Sequence, residues 1–474
     1  MPADQPIPAL RPNPPGHQFV VYADACSGVP GALHERTFAA VNAVLQRLDP
    51  QPEFIAFPGD EIRGLTADAD ELRTQWRYWF EHEMAWLDRN TMPLYHTTAN
   101  HTTYDPASEA IFREVLAHLP RNGPAGQEGL SYFVRRTPGG AADSSDDLLM
   151  IFVNTLWSGL GGEGYVETEW LEQTLTEHAD ARYKLVFGHH PVFPVNGFVA
   201  SHQREIAHEM GPTFWMILVR HGVLAYWCSH ILAFDVQVHE GVLQILTAGA
   251  GTAHRMPEEF EYLHAMQAVL APDKLRYQVL DTAGIAREWL SWPLPEPQAT
   301  AWQPLVSGVQ SAPHQGLLIP TPDATPIGFW QIGGHSNDGR DGTPQTLFSA
   351  WEDGPALAPL WIGLHGREQQ LAILLAPQPG RSPHLWTGPT LPAGQPFSLQ
   401  LAFHSGMGPG GLLWRWDETR PWSSLHGASA WGVERLPWPA RWSVGQAQRG
   451  AHDRPFRGQD LTVLWQTVQV SLGG

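Results

Sequence analysis

The chain reads as an α/β domain followed by an all-β domain, and three observations predict this. Up to about residue 290, apolar runs of strand length alternate with amphipathic stretches of helical period. Pro293, Pro295 and Pro297 then break the pattern. Beyond them only short runs alternating every second residue recur, separated by Gly, Pro and Asp turns. At 474 residues the chain is too long for one ordinary core, so two domains suit its length. The expected division is an irregular Pro-rich arm over 1–17, an α/β domain over 18–292, a linker over 293–320 and a β-sandwich over 321–474.

In chain order, residues 18–24 form an apolar run that ends on a carboxylate, Asp24. Residues 35–48 carry Phe38, Val41, Val44, Leu45 and Leu48 at helical spacing. The run 53–60 repeats the first arrangement, a strand leading through Gly59 to Asp60. A long helix rich in Trp and acidic residues is expected over 68–89, then a strand from Pro93 toward Asn100 and His101. Strands over 127–136 and 147–154 are separated by a Gly/Asp/Ser turn, and 167–178 reads as a helix. Leu185-Val186-Phe187 runs into Gly188, His189, His190 and Pro191. Residues 223–230 form a further strand ending on His230, 244–250 another, and 275–280 and 287–290 two short closing strands. In the second half, strands are expected over 357–364, 369–375, 396–404, 412–416 and 460–470, with Phe397, Leu399, Leu401 and Phe403 marking one buried face.

Composition narrows the function. The formal charge of −19 argues against a nucleic-acid backbone partner, which needs local Lys and Arg excess, but not against a small phosphorylated substrate. With two cysteines, Cys26 and Cys228, there is no disulfide framework; both lie near strand tips, where two free thiols are expected over a bridge. No basic-then-apolar leader and no membrane-length apolar run is seen, so a cytoplasmic protein without a membrane partner is expected.

Chemistry is expected just beyond the carboxyl ends of the strands. Those tips carry Asp24, Asp60, Asn100 with His101, His189 with His190, and His230. Taken singly, such an Asp is a turn former and such a His an ordinary polar residue. Together they offer carboxylate oxygen, amide oxygen and imidazole nitrogen, a donor set for a divalent cation. The glycine-rich 159–164 segment lacks the Lys-Ser/Thr of a phosphate-binding P-loop and reads as a flexible loop that borders the site.

In order and spacing, these tips resemble the motifs of the calcineurin-like metallophosphoesterase family: Asp-x-His, Gly-Asp, Gly-Asn-His, Gly-His-His and Gly-His-x-His. Asp24-Ala25-Cys26, Gly59-Asp60, Ala99-Asn100-His101, Gly188-His189-His190 and Ser229-His230-Ile231-Leu232 stand in their places. The resemblance covers about residues 18–290 and implies a four-layer α/β sandwich with two metal ions at its strand tips. It implies one cation position made by Asp60, Asn100, His189 and His230, for manganese, iron or zinc. The other would use Asp24, Asp60, Cys26 in place of one histidine and Leu232 in place of another, so one tight site and a doubtful second are expected. A thiolate at Cys26 would favour a softer ion; a small buried side chain is the alternative. The family pattern assigns His101 to protonating the leaving oxygen, and His190 is an expected neighbour of the site.

The resemblance thus implies hydrolysis of phosphate mono- or diesters. The alternatives are a catalytically impaired relative that binds a ligand or partner, and a hydrolase of another ester type. The C-terminal half, through the 455–465 segment, resembles concanavalin A/laminin-G-like jelly rolls. That resemblance implies glycan stacking on Trp414, Trp416, Trp422, Trp431, Trp438 and Trp442; filling of the core is the competing use.

Overall fold

Leu148, Met150 and Phe152 face one apolar cluster, and Leu149 and Ile151 on the same strand face another. A strand buried on both faces needs a sheet covered on both sides, which is why the runs that carry the site residues are almost continuously apolar. The computed structural model describes residues 5–12, 16–136, 147–197, 205–252, 262–271, 274–306, 308–309, 325–337, 341–351, 360–375, 384–404, 411–427, 441–446 and 454–470.

The N-terminal part contains two six-stranded mixed sheets. In one the spatial order is Ala286–Trp292, Lys274–Asp281, His264–Ala271, His17–Val21, Phe54–Phe57 and Leu94–His96; the last three strands are parallel. In the other it is Phe234–His239, Val242–Thr247, Ala225–Cys228, Tyr183–Phe187, Leu148–Phe152 and Tyr132–Arg136, with four parallel strands in the middle. An aromatic layer joins the sheets. Phe19 stacks on Phe54 at 5.0 Å and meets Trp227 edge-on at 5.7 Å, while Phe152, Phe187 and Trp227 stack in series at 4.8 and 5.3 Å. Helices Thr168–Glu177 and Gly211–Arg220 pack Leu171, Leu175, Phe214 and Leu218 onto the outer face of the second sheet. Helix Leu33–Leu45 and the Ala69–Tyr78 helix cover the first, through Phe38 and Trp76. This is an α/β domain.

Several boundaries differ from expectation. The first helix ends at Leu45, because Leu48–Asp49 leaves it to pair with Ile7–Pro8; the N-terminal arm therefore carries a short strand. The expected 68–89 helix is the Asp68-capped Ala69–Tyr78 helix continued by a π-helical turn, Trp79–Glu83. There Trp79 packs against Phe38 and Phe57, and Glu83 accepts from the Gly28 N–H at 2.9 Å. The 275–280 and 287–290 strands extend to Lys274–Asp281 and Ala286–Trp292. The expected turn between 136 and 147 lies outside the described residues.

The C-terminal half forms two antiparallel sheets that share one apolar cluster. Thr325–His335 is central in the first, between Pro396–His404 and Gln459–Val470. Trp442 sits in this cluster with Trp414 and Trp416 packed against it, while Trp422 is buried in the α/β core. These tryptophans therefore fill packing positions rather than an open sugar-stacking face; Trp431 and Trp438 lie outside the described residues. No described helix is long and apolar enough to cross a membrane.

The two halves are joined at the edge strand Phe234–His239. Ser424 Oγ accepts from Val238 N–H at 2.9 Å, and Ser423 Oγ from Glu240 N–H at 3.1 Å. Asn196, in the loop that follows His190, donates to Leu425 O at 3.0 Å and accepts from Gly427 N–H at 2.6 Å. Asp235 secures the same loop by accepting from Asn196 N–H at 3.3 Å and from Gln237 at 2.6 Å. Burial pushes the Asp235 carboxyl up to about 6 from 3.8. Its contribution to stability is complete below the unfolded value and is lost as pH rises through about 6. That rise corresponds to about 3 kcal/mol. Asp235→Asn should flatten the stability loss between about pH 4 and pH 7. Urea midpoints across that range check this; an unchanged slope would show that Asp235 is not the group responsible.

Candidate metal centre

Each site residue sits two to five positions past a strand end, and both sheets deliver those ends to one edge. Asp24 follows His17–Val21, Asp60 follows Phe54–Phe57, and Asn100 and His101 follow Leu94–His96. His189 and His190 follow Tyr183–Phe187, and His230 follows Ala225–Cys228. The turns that aim these side chains are tight. Asp24, Cys26, Asp60 and His230 adopt φ of 62°, 43°, 58° and 69°, in the left-handed region that non-glycine residues rarely occupy. Such conformations cost of order 1–3 kcal/mol each and persist where the surrounding structure enforces them. Backbone bonds do so here: Asp24 N–H donates to Gly59 O at 3.2 Å and Cys26 N–H to Asp60 O at 2.7 Å. Gly59, at φ 95°, leaves room for the site, since a Cβ there would lie 2.4 Å from Ala99 Cβ and 2.9 Å from His189 Nδ1.

Four donor atoms converge. Asn100 Oδ1 lies 2.9 Å from His189 Nε2 and 3.0 Å from His230 Nδ1, and those two nitrogens are 3.1 Å apart. Asp60 Oδ2 lies 3.5 Å from His189 Nε2. The tautomers follow from the partners. His189 Nδ1 is 2.9 Å from Pro58 O, which can only accept, so Nδ1 carries the proton and Nε2 presents a lone pair. Burial, with the His230 and His190 rings beside it, holds His189 well below the usual histidine range, hence neutral. Asp60 Oδ1 is taken by His101 N–H at 3.0 Å, which turns Oδ2 toward the cluster.

An amide oxygen, a carboxylate oxygen and a bare imidazole nitrogen at these separations repel one another without a cation or proton among them. The donors fit a divalent cation of borderline softness, held by Asp60, Asn100, His189 and His230.

The other expected residues are placed less simply. Asp24 accepts from His230 N–H at 3.1 Å; burial and nearby Asp60 raise its carboxyl well above the ordinary range. Burial also raises Asp60, although His101 opposes the shift. Cys26 Sγ lies 3.9 Å from Asp60 Oδ2, and burial with the Asp60 and Asp24 charges keeps it a thiol. Cys26, Asp60 and His101 form a looser second group of donors. His101 Nδ1 is 2.6 Å from Arg63 O, which can only accept, so that nitrogen carries a proton, and Nε2 lies 3.9 Å from Asp60 Oδ2. Leu232 has no donor atom. The two cysteines are free and buried; Cys228 Sγ instead donates to Ile245 O at 3.7 Å.

His190 is fully buried, with Nδ1 2.8 Å from Thr155 Oγ1 and Nε2 3.3 Å from Glu163 Oε1. Sequence reasoning passed over Glu163, which lies in the glycine-rich 159–164 segment; its only signal was a lone carboxylate in a loop leaving a strand end. Glu61 was also missed. It pairs with His96 at 2.7 Å, both fully buried, and burial raises the acid and lowers the base, which favours the neutral pair directly behind Asp60.

No protein-family profile and no curated protein sequence matches the chain. Among solved structures it is similar to a purple acid phosphatase from yellow lupin seeds, at 10% identity over 58% of this chain and 53% of that one, with a TM-score of 0.42. It is also similar to a dimetal phosphatase from Danio rerio, at 14% identity over 58% of this chain and 98% of that one, TM-score 0.41. A third is GAP50, the anchor in the inner membrane complex of Plasmodium, at 12% identity over 59% of this chain and 90% of that one, TM-score 0.40. These are partial superpositions, and the reading of the site rests on its own side chains.

Gly59→Ala should lower divalent-metal affinity at least about tenfold, because the added carbon must displace Ala99 or His189. Gly31→Ala, with nothing within 4 Å of its Cβ, should leave affinity unchanged and cost only about 1 kcal/mol for its positive φ. Titration of both variants with Zn²⁺ checks the contrast; equal affinities would show that Gly59 does not shape the site.

Proposed function

We propose that this protein is a metal-dependent hydrolase of phosphate mono- or diesters, with its cation held by Asp60, Asn100, His189 and His230. The observation that carries the reading is the convergence of Asn100 Oδ1, His189 Nε2 and His230 Nδ1 within 3.1 Å of one another, with Asp60 Oδ2 beside them. The five strand-tip motifs of the metallophosphoesterase family support it, and by that resemblance the α/β domain is a four-layer sandwich of that type. A bound divalent cation supplies Lewis acidity toward a phosphoryl oxygen and makes water a better nucleophile near neutral pH.

The chain's own residues supply the rest. Burial keeps His189 neutral, and Pro58 O with Ser229 Oγ, each 2.9 Å from Nδ1, keeps its ring correctly turned. His101, fixed through Nδ1 by Arg63 O, presents Nε2 toward the cleft, where a proton on that nitrogen can pass to a departing alkoxide. For the C-terminal half we propose a jelly-roll-type sandwich, supported by its two antiparallel sheets with a common core. Cys26 and Leu232 favour a second reading: a relative that keeps one cation, has lost catalysis and uses the cleft to bind a ligand or partner.

His101→Ala should lower turnover of p-nitrophenyl phosphate or its bis-ester about 10²–10⁴-fold while changing metal affinity little. His189→Ala should abolish turnover and binding of the cation assigned to Asp60, Asn100, His189 and His230. Turnover by metal-loaded wild type separates the two readings, and full activity in His101→Ala would remove that residue from proton transfer.

A further inference from the structure

Glu163 Oε1 lies 3.3 Å from His190 Nε2 and 3.7 Å from His230 Nε2, and the two imidazole rings stand 4.5 Å apart. The three side chains reach this point from three separate segments, and a ligand atom from each falls within 4.8 Å of the others. The loop that brings Glu163 here is held at both ends rather than free. Gly164 N–H donates to Thr155 O at 2.8 Å, Ala207 N–H donates to Gly164 O at 2.9 Å, and Gly162 N–H donates to Trp157 O at 3.0 Å. Gly161, Gly162 and Gly164 have φ of 129°, 91° and 90°, and a Cβ on Gly164 would lie 2.9 Å from Ala207 N. The glycines of the segment therefore serve to place its one carboxylate beside two histidines.

We propose that Glu163, His190 and His230 hold a second divalent cation, beside the one assigned to Asp60, Asn100, His189 and His230. The inference rests on that assignment, because the His230 ring is common to both: Nδ1 faces Asn100 and His189, and Nε2 faces Glu163. One carboxylate oxygen and two imidazole nitrogens suit a transition cation such as Zn²⁺. His190 can offer Nε2 as a lone pair because Thr155 Oγ1, 2.8 Å away, can accept a hydrogen bond from Nδ1–H. With a cation on each nitrogen the His230 ring keeps no N–H proton, and the one it carried leaves to solvent. The position that the strand-tip motifs imply for a second ion is poorly equipped by comparison: Leu232 cannot ligate, and Cys26 is held as a thiol 3.9 Å from Asp60. The second cation is thus moved from the Asp24 side of the cleft to the Glu163 side. The competing account is a hydrogen bond from His190 Nε2–H to Glu163 with no ion between them.

The experiment is equilibrium dialysis of the full chain against Zn²⁺, followed by elemental analysis, on wild type, Glu163→Ala and His189→Ala, with far-UV circular dichroism to establish folding. Wild type should retain two ions per chain and Glu163→Ala one, with the affinity of the remaining ion changed by less than about threefold. Equal stoichiometry in wild type and Glu163→Ala, whatever its value, overturns the proposal. Should Glu163→Ala fail to fold, Glu163→Gln keeps the side-chain shape and removes the charge; it should weaken the second ion at least tenfold, and unchanged binding overturns the proposal. His189→Ala reports separately on the first position: if it loses no ion, the assignment to Asp60, Asn100, His189 and His230 fails on its own account.

Discussion

Asn100 Oδ1, His189 Nε2 and His230 Nδ1 crowd within about 3 Å of one another, with an Asp60 oxygen alongside. Electron pairs held this close in a buried place are unfavourable without positive charge, and much of the surrounding structure serves to hold them there. Four residues take left-handed backbone conformations around the cluster, Pro58 O and Ser229 fix one imidazole, and the fully buried Glu61–His96 pair braces the segment behind Asp60. This is a fold that accepts local strain to preserve a donor set. A bound cation would repay the cost by converting mutual repulsion into common attraction.

The sequence makes the strand tips legible because the signal there is physical. A buried parallel strand must be apolar on both faces, so the polar residues past its end stand out: Asp24, Asp60 and His189 are the first of them after their strands, and Asn100 and His230 come just beyond Thr97, Thr98 and Ser229. Elements without such contrast escape. The Gly211–Arg220 helix opens on Gly-Pro and carries an unbroken apolar run, Phe214 to Val219, which by length reads equally as a buried strand. His264–Ala271 carries three alanines among its eight residues, and it becomes a strand because His17–Val21 and Lys274–Asp281 pair with it on either side. Glu163 was invisible for a different reason. It belongs to no strand tip, and only the folded loop brings its carboxylate to His190 and His230.

The C-terminal half is not a loosely attached module. Its 422–427 segment lies beside the Phe234–His239 strand and its turn, bonded through Ser424 Oγ, Ser423 Oγ and Trp422 O, and Asn196, six residues after His190, is hydrogen-bonded to Leu425 and Gly427. Trp422 is buried in the α/β core beneath the Arg415 guanidinium, 4.4 Å above its ring, and Arg415 is paired in turn with Glu296 at 2.7 Å. The alternation of Phe397, Leu399, Leu401 and Phe403 correctly marks a buried face of the Pro396–His404 strand. Nothing in that alternation says that the neighbouring sheet also shields an edge of the first domain and steadies the loop beyond its histidines. Such long-range pairing depends on which edges meet, and no local pattern encodes it.

The central claim is that one cation sits among Asp60, Asn100, His189 and His230. Anomalous diffraction from crystals of metal-loaded protein, collected on either side of the absorption edge of the loaded ion, tests it most directly. The account predicts an anomalous peak bounded by Asp60 Oδ2, Asn100 Oδ1, His189 Nε2 and His230 Nδ1, with bonds of about 2.0–2.2 Å. A folded, metal-loaded crystal with no peak there, or with those four atoms bonded through a proton instead, would contradict it.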